Sequence, residues 1–148
     1  MTATVPGVAE PEPTDLLGTW RLDRRIVDRD GPRRAFGRVR GTLTLTAGDD
    51  GTVRWDERGE LAWNGQHLTV SRTLHVVPGD AGWTVRFEDG REFHPWRPGT
   101  PVVHPCRADT YRGLVAVDPA GDLLRVLWDV TGPAKDRRLF TRCTRTRP

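Results

Sequence analysis

Apolar and polar residues alternate through most of the chain, and turn residues interrupt the alternation at short intervals. The clearest case is residues 51–78. Asn64-Gly65 splits this stretch, and Asn-Gly is a strong hairpin signal because a two-residue type I′ turn needs positive φ at both central positions. That turn sets a register in which Leu61 faces Leu68, Gly59 faces Val70, Trp55 faces Leu74 and Val53 faces Val76. All are apolar or Gly, as a buried face requires. In the middle of the same stripe Glu57 falls opposite Arg72. The other face sets Ala62, Glu60, Arg58, Asp56 and Arg54 against His67, Thr69, Ser71, Thr73 and His75, which suits water.

The same reading extends in both directions. Residues 19–29 bring Trp20, Leu22, Arg24 and Ile26 to one face, and Asp30-Gly31-Pro32 ends the run. Residues 37–47 turn Val39, Gly41, Leu43 and Leu45 inward and Arg38, Arg40 and three threonines outward. Residues 81–88 and 91–97 flank Asp89-Gly90, a second type I′ signal. That register pairs Phe87 with Glu92, Val85 with His94 and Trp83 with Trp96, so His94 shares the inward face. Residues 98–107 contain three prolines and read as a loop over one end of the sheet. Residues 109–118 and 122–131 flank Pro119-Ala120-Gly121. They pair Val117 with Leu124, Val115 with Val126, Gly113 with Trp128 and Tyr111 with Val130, which sets Tyr111 and Asp109 inward. The last strand, 135–145, has two parities. One turns Lys135, Arg137, Leu139, Thr141 and Cys143 inward; the other turns Asp136, Arg138 and Phe140 there.

Residues 14–17 suit one short helical turn, and residues 1–13, with Pro6, Pro11 and Pro13, read as a flexible leader. Roughly nine strands joined mostly by tight turns, without a long amphipathic helix, predict an all-β fold. Successive hairpins favour an antiparallel up-and-down barrel over 14–148, closed on itself to remove exposed edges.

Composition narrows the function classes. The chain has 148 residues, 36% hydrophobic and 29% charged, enough for one domain with a modest core. No apolar run approaches a membrane span and no signal-peptide pattern opens the chain, so a cytoplasmic location without a membrane partner is expected. Lys135 is the only lysine among 23 basic residues, against 20 acids interleaved with them. An arginine bias of this kind follows from a GC-rich genome, and no nucleic-acid partner is expected. Cys106 and Cys143 are too few for a disulfide framework. Ser71 is the only serine and faces outward, which argues against serine hydrolase chemistry. No glycine-rich phosphate loop precedes a helix.

Gly18-Thr19-Trp20 resembles the Gly-x-Trp signature of lipocalins and related calycins. In those proteins the Trp closes the barrel base and an Arg near the chain end packs across it, a role the resemblance gives to Arg142 or Arg145. The segments 17–20, 87–91, 104–111 and 132–136 also resemble an uncharacterised bacterial family of small lipocalin-like proteins. The resemblance implies the fold, carries no established activity, and lacks the usual C-terminal helix of lipocalins.

The inward face is polar for a barrel core: Arg24, Glu57, Arg72, His94, Asp109 and Tyr111, with His104 and Cys106 on the covering loop. A structural reading makes Glu57 and Arg72 a satisfied cross-strand pair and Tyr111 a core aromatic. A binding reading leaves net positive charge on Arg24 and Arg72 for a small organic anion, since the Arg fork matches a carboxylate bidentately. Trp55, Trp83, Trp96 and Trp128 would form its flat walls, with Asp109, His104 and Lys135 as further contacts. A catalytic reading adds cofactor-free acid–base chemistry, isomerisation, cyclisation or hydrolysis. His94 or His104 would be the base, Tyr111 or Arg72 the oxyanion stabiliser, and Glu57 or Asp109 the group that orients the His. His104-x-Cys106 with Asp109 and His94 offers mixed metal ligands but no specifying spacing, and haem on a barrel His is the other cofactor alternative. No cofactor is expected. A protein-interaction module using the outer Arg/Thr face of residues 37–47, or a homodimer, completes the alternatives.

Overall fold

The structure, a computed structural model, describes residues 10–146. Ten antiparallel strands follow a single short 3-10 turn, Pro13–Leu16. They are β1 (Gly18–Asp28), β2 (Ala35–Ala47), β3 (Val53–Trp63), β4 (Gln66–Val77) and β5 (Thr84–Phe87), then β6 (Glu92–Pro95), β7 (Val102–Cys106), β8 (Asp109–Val117), β9 (Leu123–Gly132) and β10 (Lys135–Arg145). Their order around the wall is β6-β5-β4-β3-β2-β1-β10-β9-β8-β7. Each neighbour is next in the chain except β1 and β10, whose pairing joins the two halves. The result is a nearly closed up-and-down barrel.

Turn chemistry sets the registers where it was read correctly. Asn64 and Gly65 have φ of 49° and 74°, and every β3–β4 pair follows from that turn, including Glu57 opposite Arg72. The β8–β9 pairs likewise place Gly113 opposite Trp128 and Val115 opposite Val126. Pro133-Ala134 makes a two-residue link, and β10 takes the first parity: Thr141 and Cys143 are buried and Leu139 faces Trp128.

Two expectations are corrected. Residues 98–107 are not all loop, because Val102–Cys106 forms a tenth strand, β7. It ends the sheet order, and an edge strand tolerates Pro105 because proline's missing donor is not needed there. The turn at Asp89-Gly90 is not type I′, since Asp89 is absent from the positive-φ residues and only Gly90 turns over, at φ 91°. Phe87 donates to the Arg91 carbonyl at 2.8 Å and accepts from Gly90 at 2.9 Å, so the loop has three residues. The register then shifts again between Val85 and Arg86: Arg86 faces Glu92, Val85 faces His94, and Phe93 is the extra residue of a bulge. Both Phe93 and His94 are buried as a result.

The core lies at the end where the chain begins β1. Trp20, Leu22, Leu43, Leu45, Val53, Val76, Leu124 and Cys143 fill it, and Leu16 on the 3-10 turn caps it. Trp20 donates its indole N–H to the Leu16 carbonyl at 3.0 Å. The Arg145 guanidinium lies 4.4 Å from the Trp20 ring centroid and donates to the carbonyls of Leu17, Asp15 and Gly121. Of the two candidate arginines, Arg145 therefore takes this place, and Arg142 is exposed on the outer wall. Of the expected leader, residues 1–9 lie outside the described residues. Pro11 accepts a hydrogen bond from the Trp96 indole at 2.9 Å, and Pro13 is buried. The opposite end is open: Leu68, on the inward stripe of β4, is 52% exposed.

The edge strands β6 and β7 share no ladder pairs among the described residues. Rings span the gap instead. His104 on β7 meets Phe93 at 5.3 Å and Phe87 at 5.6 Å, edge to face.

Candidate functional site

Halfway up the barrel, strands β1, β3 and β4 converge three charged side chains. Glu57 is 5% exposed, and both its oxygens are occupied. Oε1 accepts from Arg24 Nη2 at 2.9 Å; Oε2 accepts from Arg72 Nη2 at 3.0 Å and from the Trp55 indole at 2.9 Å. Arg24 also donates its Nε to the Thr141 hydroxyl at 2.7 Å. Burial alone would raise the Glu57 pKa, but the positive charges of Arg72 and Arg24 and the indole hydrogen bond outweigh it and hold the carboxyl at about 2. Glu57 is thus ionised across the physiological range, and two guanidiniums facing one carboxylate leave one positive charge in excess.

That excess falls at Arg72. Its Nε is buried and has no hydrogen-bond partner, although the side chain as a whole is 39% exposed. Buried donors are normally satisfied, so an orphan on a charged group calls for an acceptor. Arg72 also lines a narrow hollow, walled by Trp55, Trp96 and Trp128, by Leu74, Val85, Val115 and Val126, and by Phe93 and His94. Its free space is about 20 Å³, room for one water-sized group.

His94 supplies the remaining polar atom. Its Nδ1 lies 2.8 Å from the Pro95 carbonyl, which can only accept, so Nδ1 carries the hydrogen and Nε2 the lone pair. Burial pushes its pKa below the usual 6.5, and the positive charge of Arg72 adds to that, so the ring is neutral at pH 7.

Of the side chains expected to form the site, Arg24, Trp55, Glu57, Arg72, His94, Trp96 and Trp128 line this hollow. The others do not. Trp83 is half-buried and packs on the core. Tyr111 and His104 lie behind Phe93, in an aromatic group with ring centroids 5.9 Å apart. Asp109 and Lys135 pair with each other at 3.2 Å where β7, β8 and β10 meet the open end. The aromatic order is set by Phe93, which stacks between Phe87 at 4.5 Å and Trp128 at 4.8 Å.

Sequence reasoning missed Phe93 as a wall because parity turns it outward, and only the bulge brings it in. Thr141 was visible as one of two parities and had no assigned role. Among the described residues no group of three or more His, Cys, Asp or Glu is placed to hold a metal ion. Cys106 and Cys143 are free thiols, and burial pushes Cys143 up to about 12. No helix among the described residues is long and apolar enough to cross a membrane.

The model of a family of unknown function, DUF6314, matches residues 16–145, and the chain belongs to that family. No curated protein matches it.

Proposed function

We propose that this member of the DUF6314 family binds a small organic anion inside its barrel. The observation that carries the reading is Arg72, whose buried Nε has no hydrogen-bond partner and whose side chain lines a hollow walled by tryptophans. An apolar pocket with a few convergent polar groups is the usual form of a small-molecule site. The hollow admits one water-sized group, so it takes a single oxygen of the ligand's carboxylate or other oxyanion head. Any larger body runs toward the open end, along the half-buried Leu61 and Val70 and the exposed Leu68. The resemblance to lipocalins points the same way: Arg145 lies across Trp20 of Gly18-Thr19-Trp20, and barrels of about this size hold one small ligand.

The test is a tryptophan-fluorescence titration of the whole protein with aromatic and aliphatic carboxylates and their matching carboxamides. Carboxylates quench saturably, and the amides bind at least tenfold more weakly, because a charge-assisted hydrogen bond is worth about 1.5–3 kcal/mol. Arg72→Met removes the discrimination. Failure of every carboxylate to saturate would overturn the reading.

A second reading, cofactor-free acid–base turnover of the same ligand, rests on His94. A neutral imidazole with Nδ1 fixed and Nε2 bearing a lone pair is poised as a base. Glu57, ionised and hydrogen-bonded at both oxygens, would then hold the guanidiniums in place and carry no proton. His94→Gln that keeps affinity and abolishes turnover would favour the enzyme; a wild-type protein that binds and returns every ligand unchanged would leave the binder.

A further inference from the structure

The outer wall of β2, β1, β10 and β9 carries a charge pattern that the inner site does not use. Across one row of the ladder run Arg40, Asp23, Arg142 and Arg125. The row on one side sets Arg38 directly against Arg25, and the row on the other side carries Arg21, with Arg58 next along on β3. Asp23, Asp56 and Glu60 lie among these seven guanidiniums, and Asp122 shares a surface hollow with Arg21, in a chain whose net charge is +3. Of the seven, Arg38 makes an ion pair with Asp23 at 2.7 Å. Arg142 opposite Arg125 and Arg25 opposite Arg38 are like-charge pairs, which destabilise a sheet.

An apolar strip crosses the same wall. Leu114 opposes Leu127, Leu127 opposes Phe140, and Val27 opposes Phe36; Phe140 and Val27 are diagonal neighbours. Phe36 is 65% exposed and Phe140 41%.

We propose that this wall docks on the surface of an anionic phospholipid bilayer. Every strand of this wall is already paired on both sides, so it offers no open edge for a peptide strand. A second copy laid face to face would set arginine against arginine. A fluid layer of phosphate headgroups needs no shape complement. The two phenylalanines reach the acyl boundary while the arginines lie at phosphate level, the arrangement of a peripheral interfacial surface. This inference is independent of the anion in the barrel.

The experiment is co-sedimentation of the full chain with vesicles of phosphatidylcholine containing phosphatidylserine, against vesicles of phosphatidylcholine alone, at low and raised salt. The protein pellets with the anionic vesicles, stays in solution with the neutral ones, and is released by salt. Arg125→Gln and Arg142→Gln each weaken binding roughly fivefold, and Phe140→Ser weakens it further without changing the salt slope. Arg97→Gln, on the exposed loop after β6, leaves it unchanged. Thermal melts confirm that each variant is folded. No pelleting with anionic vesicles would overturn the proposal. So would tighter retention of a single-stranded oligonucleotide than of the vesicles, or a dimer in sedimentation equilibrium that Phe140→Ser dissolves.

Discussion

Glu57 makes the interior charge network pH-dependent. Its folded pKa of about 2 lies below the unfolded value of 4.5, so the ionised form stabilises the fold by roughly 3 kcal/mol. That contribution is fully present above pH 4.5 and is lost as pH falls from 4.5 toward 2. Glu57→Gln should flatten this acid limb in denaturant titrations at pH 3 and pH 7. The same variant lowers stability at pH 7, because Arg24 and Arg72 lose their counter-charge, and raises affinity for carboxylates, because both guanidiniums are freed. An unchanged affinity would count against the anion site. His94 acts in a higher window. Its folded pKa lies below 6.5, so its contribution is complete above pH 6.5 and is lost as pH falls below that value. His94→Gln should remove the slope of melting temperature between pH 7 and 5. The sequence made this much of the site legible because Asn64-Gly65 fixes Glu57 opposite Arg72 and alternation brings Arg24 to the same side. It could not assign the Thr141 bond, since the β9–β10 link left two parities open, nor the orphan Nε, which is a matter of ångströms.

At the level of elements, the β5–β6 hairpin departs furthest from simple alternation. Its three-residue loop and the bulge at Phe93 put two successive side chains inside, and Phe93 then holds Phe87 and Trp128 in one stack. Phe93→Ala should destabilise the protein by about 3–5 kcal/mol, measured by denaturant unfolding, since it empties the middle of that stack. Trp128 is held from its other side by a glycine: a β-carbon at Gly113 would run into its ring. Gly113→Ala should destabilise by about 1–3 kcal/mol through overpacking and shift the tryptophan emission, because the indole must move. The β3–β4 hairpin, whose central Asn64 and Gly65 both sit at positive φ, was readable to the residue. Asp89-Gly90 looks like the same turn in sequence, yet Asp89 stays outside that region and the register slips. The Pro-rich segment 98–107 hid β7 because a proline argues against a strand only where both edges are paired, and β7 has one free edge. The basic wall was hidden in another way. Its arginines are spread along five strands among acids, and only the register lays Arg40, Arg142 and Arg125 in one row.

The whole molecule is a barrel held by ladders everywhere except between β6 and β7. Amide hydrogen exchange should show this directly, with β6 and β7 exchanging faster than β1, β2, β9 and β10, whose groups are paired on both sides. Uniform protection around the wall would contradict the strand order. Elsewhere a wider circumference would require breaking a row of N–H···O=C bonds together, at a cost that rises with strand length. Where His104 leans on Phe87 and Phe93, two ring contacts part instead, and each is individually weak. The girth of this protein is therefore adjustable along one meridian, beside the tryptophan-walled hollow, and a resting interior sized for a single water does not set the upper limit on what the barrel can enclose.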